Sequence, residues 1–137
     1  MSVQSEELNE RTIVFAINVL DLVDKLPQTP RGKVIAYQLA KCGTSVGANY
    51  FASCNARSRR EFIAKLGTVV EESEESMYWL VIIKRTRIVA GPEVPGLLQE
   101  AIELRAIFSR SLGTARENAR AARAGRPKRR ANDQMTK

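Results

Sequence analysis

Residues 5–26 read SEELNERTIVFAINVLDLVDKL, and this stretch decides the fold class. Leu8, Thr12, Phe15, Val19, Leu22 and Leu26 fall at spacings of 4, 3, 4, 3 and 4. That is the heptad spacing of a helix with one buried stripe, and Thr12 is its polar member. Ile13, Ile17, Leu20 and Val23 widen the apolar arc beyond a two-helix seam. A helix apolar over so wide an arc is expected to touch more than one neighbour. Pro27 and Pro30 end it.

Downstream the helical period returns. A second helix is expected from about Arg31 to Ser53. Its stripe Ala36, Ala40, Gly43 and Gly47 is small, and the adjacent stripe Ile35, Leu39, Cys42, Val46 and Asn49 is bulkier. Each glycine inside a helix costs about 1 kcal/mol relative to Ala, and close approach of another backbone is the simplest reason to carry two. Asn49 falls on the apolar stripe, which suggests a partly buried amide whose hydrogen bond fixes helix register. Asn55 to Arg57 form a turn. Ser58 followed by Glu61 is a capping box opening a third helix, Arg59 to about Val89, with Phe62, Leu66, Val69, Ser73, Met77 and Leu80 inward. Gly91, Pro92 and Pro95 break it. A fourth helix starts near Val94, buries Leu97, Ala101, Leu104, Phe108 and Leu112, and continues through an Ala/Arg-rich stretch to about Ala124. Four helices with short connections predict an all-α, antiparallel up-down-up-down four-helix bundle. Residues 1–115 make the bundle, and residues 116–137 a basic helical extension and tail.

The whole chain of 137 residues carries a net charge of +7, unevenly placed. From residue 116 onward, eight basic residues face Glu117 and Asp133, a net +6, which leaves the first 115 residues at +1. Any anionic partner is therefore expected at the extension. No apolar run is long enough to span a membrane, and the first ten residues are acidic and polar rather than a signal peptide. Cys42 and Cys54 lie on one helix, roughly 18 Å apart at ~1.5 Å per residue, too far for a disulfide. Reduced thiols in a cytoplasmic protein are expected.

The chain has no histidine. That removes the commonest general base and transition-metal ligand, and with them a Ser-His-Asp or Cys-His arrangement. A di-iron bundle would need Glu-x-x-His pairs. No glycine-rich phosphate loop occurs. The expectation is a non-enzymatic protein with no cofactor, no metal and no small-molecule substrate.

Three groups of residues invite a binding role. Arg57, Arg59 and Arg60 sit at the start of the third helix, where guanidiniums and free N–H groups suit phosphate; singly, each is as readily a solubilising surface residue. Arg116, Arg120 and Arg123 share a helical face, followed by Arg126, Lys128, Arg129 and Arg130. This segment suits phosphates without reading sequence, or serves only solubility. Glu71, Glu72, Glu74 and Glu75 cover about 160° of the third helix. They suit either basic groups on another helix or subunit, or solvent, with Glu71 and Glu75 the candidate interface pair. Tyr78 and Trp79 are adjacent and so point to different faces: one core, the other a candidate subunit contact.

Gln38-Leu39-Ala40-Lys41, Thr44-Ser45-Val46-Gly47-Ala48-Asn49-Tyr50, Ser58-Arg59-Arg60-Glu61-Phe62-Ile63 and Glu74-Glu75-Ser76-Met77-Tyr78-Trp79-Leu80 together resemble the four-helix bundle protein family. That family includes the 23S rRNA intervening-sequence proteins and is related to the accessory variability determinant of diversity-generating retroelements. The resemblance covers about Thr12 to Leu112. It implies a bundle that assembles into a barrel-like homopentamer. In the retroelement proteins the barrel is basic and binds nucleic acid and a reverse transcriptase. This chain departs from that pattern, since its body is near neutral. Nucleic acid, RNA or DNA, would be bound through five gathered tails, where linked weak sites gain avidity. Many members carry Pro where this chain has Gly47, which should straighten the second helix here. The resemblance thus implies an oligomeric nucleic-acid-binding accessory factor. The competing reading is a protein-interaction scaffold with no nucleic-acid role.

Overall fold

Three of the four helices open on a side chain that satisfies a free backbone N–H. In the computed structural model, which describes residues 2–126, Ser2 accepts from the Ser5 N–H and α1 follows at Val3–Asp24. Thr29 accepts from Gly32, Pro30 occupies the first turn, and α2 spans Pro30–Cys54. Ser58 accepts from the Glu61 N–H at 3.0 Å, and the Glu61 carboxylate reaches back to the Arg57 N–H at 3.0 Å. The capping box closes as expected, one residue further out than usual, and α3 spans Arg59–Thr86. α4, Val94–Ala124, has no side-chain cap; Lys25 instead holds Glu93 at its entrance, Nζ to Oε1 2.7 Å.

α3 ends three residues earlier than its apolar period suggests. Arg87 turns into the left-handed region at φ 51°, with its N–H on Ile83 O. A non-glycine residue there is uncommon. Ile88 and Val89 then fold back against the core, the apolar contact that often follows a left-handed cap. Tertiary burial of these two side chains outweighs their helical period.

The helices form an antiparallel up-down-up-down bundle. α1 packs on α2, α2 on α3 and α3 on α4, and α4 returns beside α1. Thr12, Phe15, Val19, Leu22 and Leu26 are all buried, so the heptad stripe of α1 is the core stripe. It meets Ile35, Leu39 and Val46 of α2, Leu66, Val69 and Leu80 of α3, and Leu97, Leu104 and Phe108 of α4 in one apolar cluster. The buried hydroxyls are satisfied within their own helices: Thr12 on Asn9 O, Ser73 on Val69 O and Ser76 on Glu72 O. Asn49 behaves likewise. Its Nδ2 donates to Ser45 O at 2.9 Å, so the bond lies within α2 and does not tie helix to helix.

The small stripe of α2 serves close packing. A Cβ at Gly43 would stand 2.8 Å from Val19 Cγ1, and one at Gly47 would stand 2.7 Å from Thr12 Oγ1. α1 is joined to α4 by ion pairs instead: Arg11 reaches Glu100 at 2.6 Å and Glu103 at 2.8 Å.

Val23 packs against the core, but the rest of the widened arc of α1 is left uncovered by the described residues. Ile13 and Ile17 remain 51% and 52% exposed, and Leu20 is exposed as well. On α2, Val34, Tyr37 and Phe51 are exposed too. Ile13, Ala48 and Phe51 line one apolar groove between the two helices.

Candidate nucleic-acid interface

The turn at 55–58 brings α3 back beside the end of α4. There the Arg59 Nη1 donates to Asn118 O at 3.3 Å. This bond joins two basic groups that lie far apart in the sequence. Arg57, Arg59 and Arg60 are all exposed at the start of α3. Arg116, Arg120 and Arg123 are exposed on α4, and Arg126 is exposed just past its end. Arg110, not singled out from the sequence, sits near Phe62 and Asn118 on the same side. Lys128, Arg129 and Arg130 lie outside the described residues.

The extension is a true continuation of α4. Leu112 is its last buried residue, and the helix runs on to Ala124. Ala is the best helix former and Arg is among the good ones, so the Ala/Arg-rich sequence sustains a helix that buries little. About twelve residues at ~1.5 Å each carry it roughly 18 Å past its last core contact. Helical spacing keeps Arg116, Arg120 and Arg123 on one side. Among residues 116–126, four arginines face one acidic residue, Glu117. Such a stripe contacts phosphates electrostatically and weakens with salt.

The acidic residues of α3 divide into two kinds. Glu74 pairs with Arg105 of α4 at 3.2 Å. Glu72 is half-buried; burial, then Glu75, pushes its carboxyl above the usual range, and Lys41 of α2 opposes the shift. Glu71 and Glu75 are exposed. Of the four, Glu74 thus meets a basic group on a neighbouring helix, and Glu72 feels the charge of Lys41 without pairing with it. Among the described residues, no three acidic or cysteine side chains come together as a metal site. Tyr78 is exposed, while Trp79 packs on the core with its ring edge-on to Tyr78 at 5.2 Å. The indole Nε1 is buried and has no hydrogen-bond partner among the described residues.

One further feature occupies this end of the bundle. All four helices and the 55–58 turn surround a pocket of about 650 Å³. Leu8, Leu66 and Ile107 are among its apolar lining, Tyr50 and Phe62 supply rings, and Arg57 and Arg59 stand at it. Tyr50 is buried and lies 4.9 Å from Phe108, ring centre to ring centre. Burial pushes its hydroxyl above the usual phenol range, with Ser5 as a hydrogen-bond partner and Cys54 close by. On the α2 side the lining is of small side chains, Ser53 and Cys54, with Ala56 just past the helix end.

The model of the 23S rRNA-intervening sequence proteins matches residues 5–110. The chain belongs to that family. A protein of unknown function from the S23 ribosomal protein family of Bacteroides thetaiotaomicron VPI-5482, known from its crystal structure, has the same fold. It superposes with a TM-score of 0.73 at 24% identity, over 81% of this chain and 99% of that one. No functionally curated protein matches the chain. The family match takes in α1 from its third residue and all of α2 and α3, and it stops at residue 110, six residues before Arg116. The 23S rRNA-intervening sequence protein body and the basic extension thus meet within one continuous helix, α4. Among the described residues, no helix is long and apolar enough to cross a membrane.

Proposed function

We propose that this protein is a non-enzymatic, self-associating bundle that binds nucleic acid through the α4 extension and the start of α3. The observation that carries the reading is the Arg59–Asn118 bond, which sets two arginine groups side by side at one end of the bundle. Neither group alone argues much beyond a soluble surface; seven arginines on or beside adjoining helices make a field for phosphates. The family description makes RNA the first nucleic acid to try. Phosphate contacts position a strand without reading its sequence, so little base preference is expected from the stripe itself.

Deleting residues 116–137 is expected to weaken binding of a short RNA by about tenfold or more in low salt, and to flatten the decline of affinity with salt. Fluorescence anisotropy across a salt series measures both. A truncated chain that binds as tightly as the full one, with the same salt slope, would place the site elsewhere and overturn the reading.

Self-association is supported by the uncovered apolar residues of α1 and α2. Contiguous exposed apolar surface on a soluble chain marks an interaction site, and aromatics such as Tyr37 and Phe51 are enriched in such interfaces. A pentamer would gather five extensions and multiply weak phosphate contacts. The expected mass in sedimentation equilibrium is about five times the 15.3 kDa chain. Ile17→Asp, which places a charge in the middle of the stripe, is expected to yield monomers. A wild-type mass of one chain at micromolar concentration would end this part of the proposal.

A further inference from the structure

The pocket at the basic end combines features that the extension lacks. Its apolar lining includes Leu8 and Leu66, the rings of Tyr50 and Phe62 stand in its wall, and hydroxyls of Ser5 and Ser111 face it. Arg57 and Arg59 stand at the same pocket, and Arg59 also holds the extension through Asn118. A guanidinium has five N–H donors, and this bond uses one. Apolar and aromatic lining with a few convergent polar groups, at this volume, suits a small planar molecule. Two guanidiniums beside it add a place for an anion bonded to that molecule.

We infer that this pocket receives one unstacked base of a single-stranded nucleic acid, with the attached phosphate on Arg57 and Arg59. The inference rests on the nucleic-acid reading above and adds a place for a base to it. Every base has a π-face, so stacking against Phe62, whose ring is only partly buried, is tolerant of sequence. A duplex keeps its bases paired and cannot supply one, whereas single strands, loops and bulges can. The α4 stripe then holds the backbone while the pocket distinguishes single strand from duplex. A strand with bases is expected to bind on the order of tenfold more tightly than an abasic strand of equal length and charge.

Cys54 lines the pocket and reports on its occupancy. Cys42 is the internal control: it is fully buried beside Ser76, and burial pushes its thiol up to about 11. Alkylation of the full-length protein by iodoacetamide, followed by mass spectrometry, is therefore expected to modify Cys54 and spare Cys42. The rate is measured alone and with an eight-nucleotide single-stranded RNA, an abasic strand of the same length, an RNA duplex and nucleoside 5′-monophosphates. Protection of Cys54 by the base-bearing strand, with little from the abasic strand or the duplex, is the expected result. If both strands bind and protect Cys54 equally, or neither protects it, the inference is overturned while the phosphate-binding reading stands. If no nucleic acid binds, the phosphate-binding reading falls, and the monophosphates decide the pocket. Protection by them assigns it to free nucleotides, and none overturns it. Arg57→Ala, at an exposed side chain, is expected to lower the protection without disturbing the fold.

Discussion

Phe108→Ala is expected to destabilise the bundle by about 3–5 kcal/mol, the range for truncating a buried aromatic. Phe108 is completely buried, one turn before Leu112, the last buried residue of α4. Its ring lies 4.9 Å from that of Tyr50 at an interplanar angle of 41°, a tilted pair worth about 0.5–1.5 kcal/mol beyond area burial. The neighbouring layer has no spare side chain to fill the void, since it already contains the pocket bounded by Cys54 and Ala56. Incomplete relaxation places the cost toward the upper part of the range. Against a total stability of about 5–15 kcal/mol, that is a large share. A drop of roughly 10–20 °C in Tm is expected. Urea unfolding followed by circular dichroism, at one fixed protein concentration because assembly adds to apparent stability, measures the change. A loss under about 1 kcal/mol would mean that this layer is not core.

How much could be read from the sequence differs by feature, for physical reasons. Heptad spacing in residues 8–26 identified the buried stripe of α1 because helical period and burial coincide there. The Ser58–Glu61 box marked the start of α3 because capping is a local matter of spacing. The end of α3 escaped because Ile88 and Val89 keep the helical period but find burial by leaving the helix. Ile13, Ile17 and Leu20 show another limit. Period reports that they share a face, while only the packed structure shows that none of the four described helices covers it. The candidate site was half legible. Both arginine groups stand out as composition, but residues 59 and 118 meet only through the antiparallel pairing of α3 and α4. The pocket was not legible, because Tyr50, Ser53, Cys54 and Phe62 are ordinary helix residues until the packing of four helices brings them together.

The close approach of α1 and α2 makes a prediction in which two effects oppose each other. Gly43→Ala gains about 1 kcal/mol of helix propensity. It also puts a methyl 2.8 and 3.1 Å from the two Cγ atoms of Val19, the first closer than Cβ atoms approach other groups and the second tighter than most such contacts. Val19 is fully buried and β-branched, so it has few rotamers to move into, and its neighbours leave no room. Overpacking a closed site costs about 1–3 kcal/mol. Packing therefore outweighs propensity, and a net loss of about 1 kcal/mol is expected for Ala. Gly43→Leu adds three more carbons to the same contact, and a loss of about 3 kcal/mol or more is expected as the two helices are forced apart. Gly67 is the counter-case: a Cβ there meets nothing within 4 Å, so Gly67→Ala keeps the propensity gain. Chemical denaturation of the three variants measures the order. Gly43→Ala more stable than the parent would show that the contact relaxes, and that the glycine stripe is not what holds α1 on α2. The same contact turns the stripe of Ile13, Ile17 and Leu20 outward: Val19 and Thr12 are spent on Gly43 and Gly47, and the next residues around α1 meet no other described helix and stay exposed.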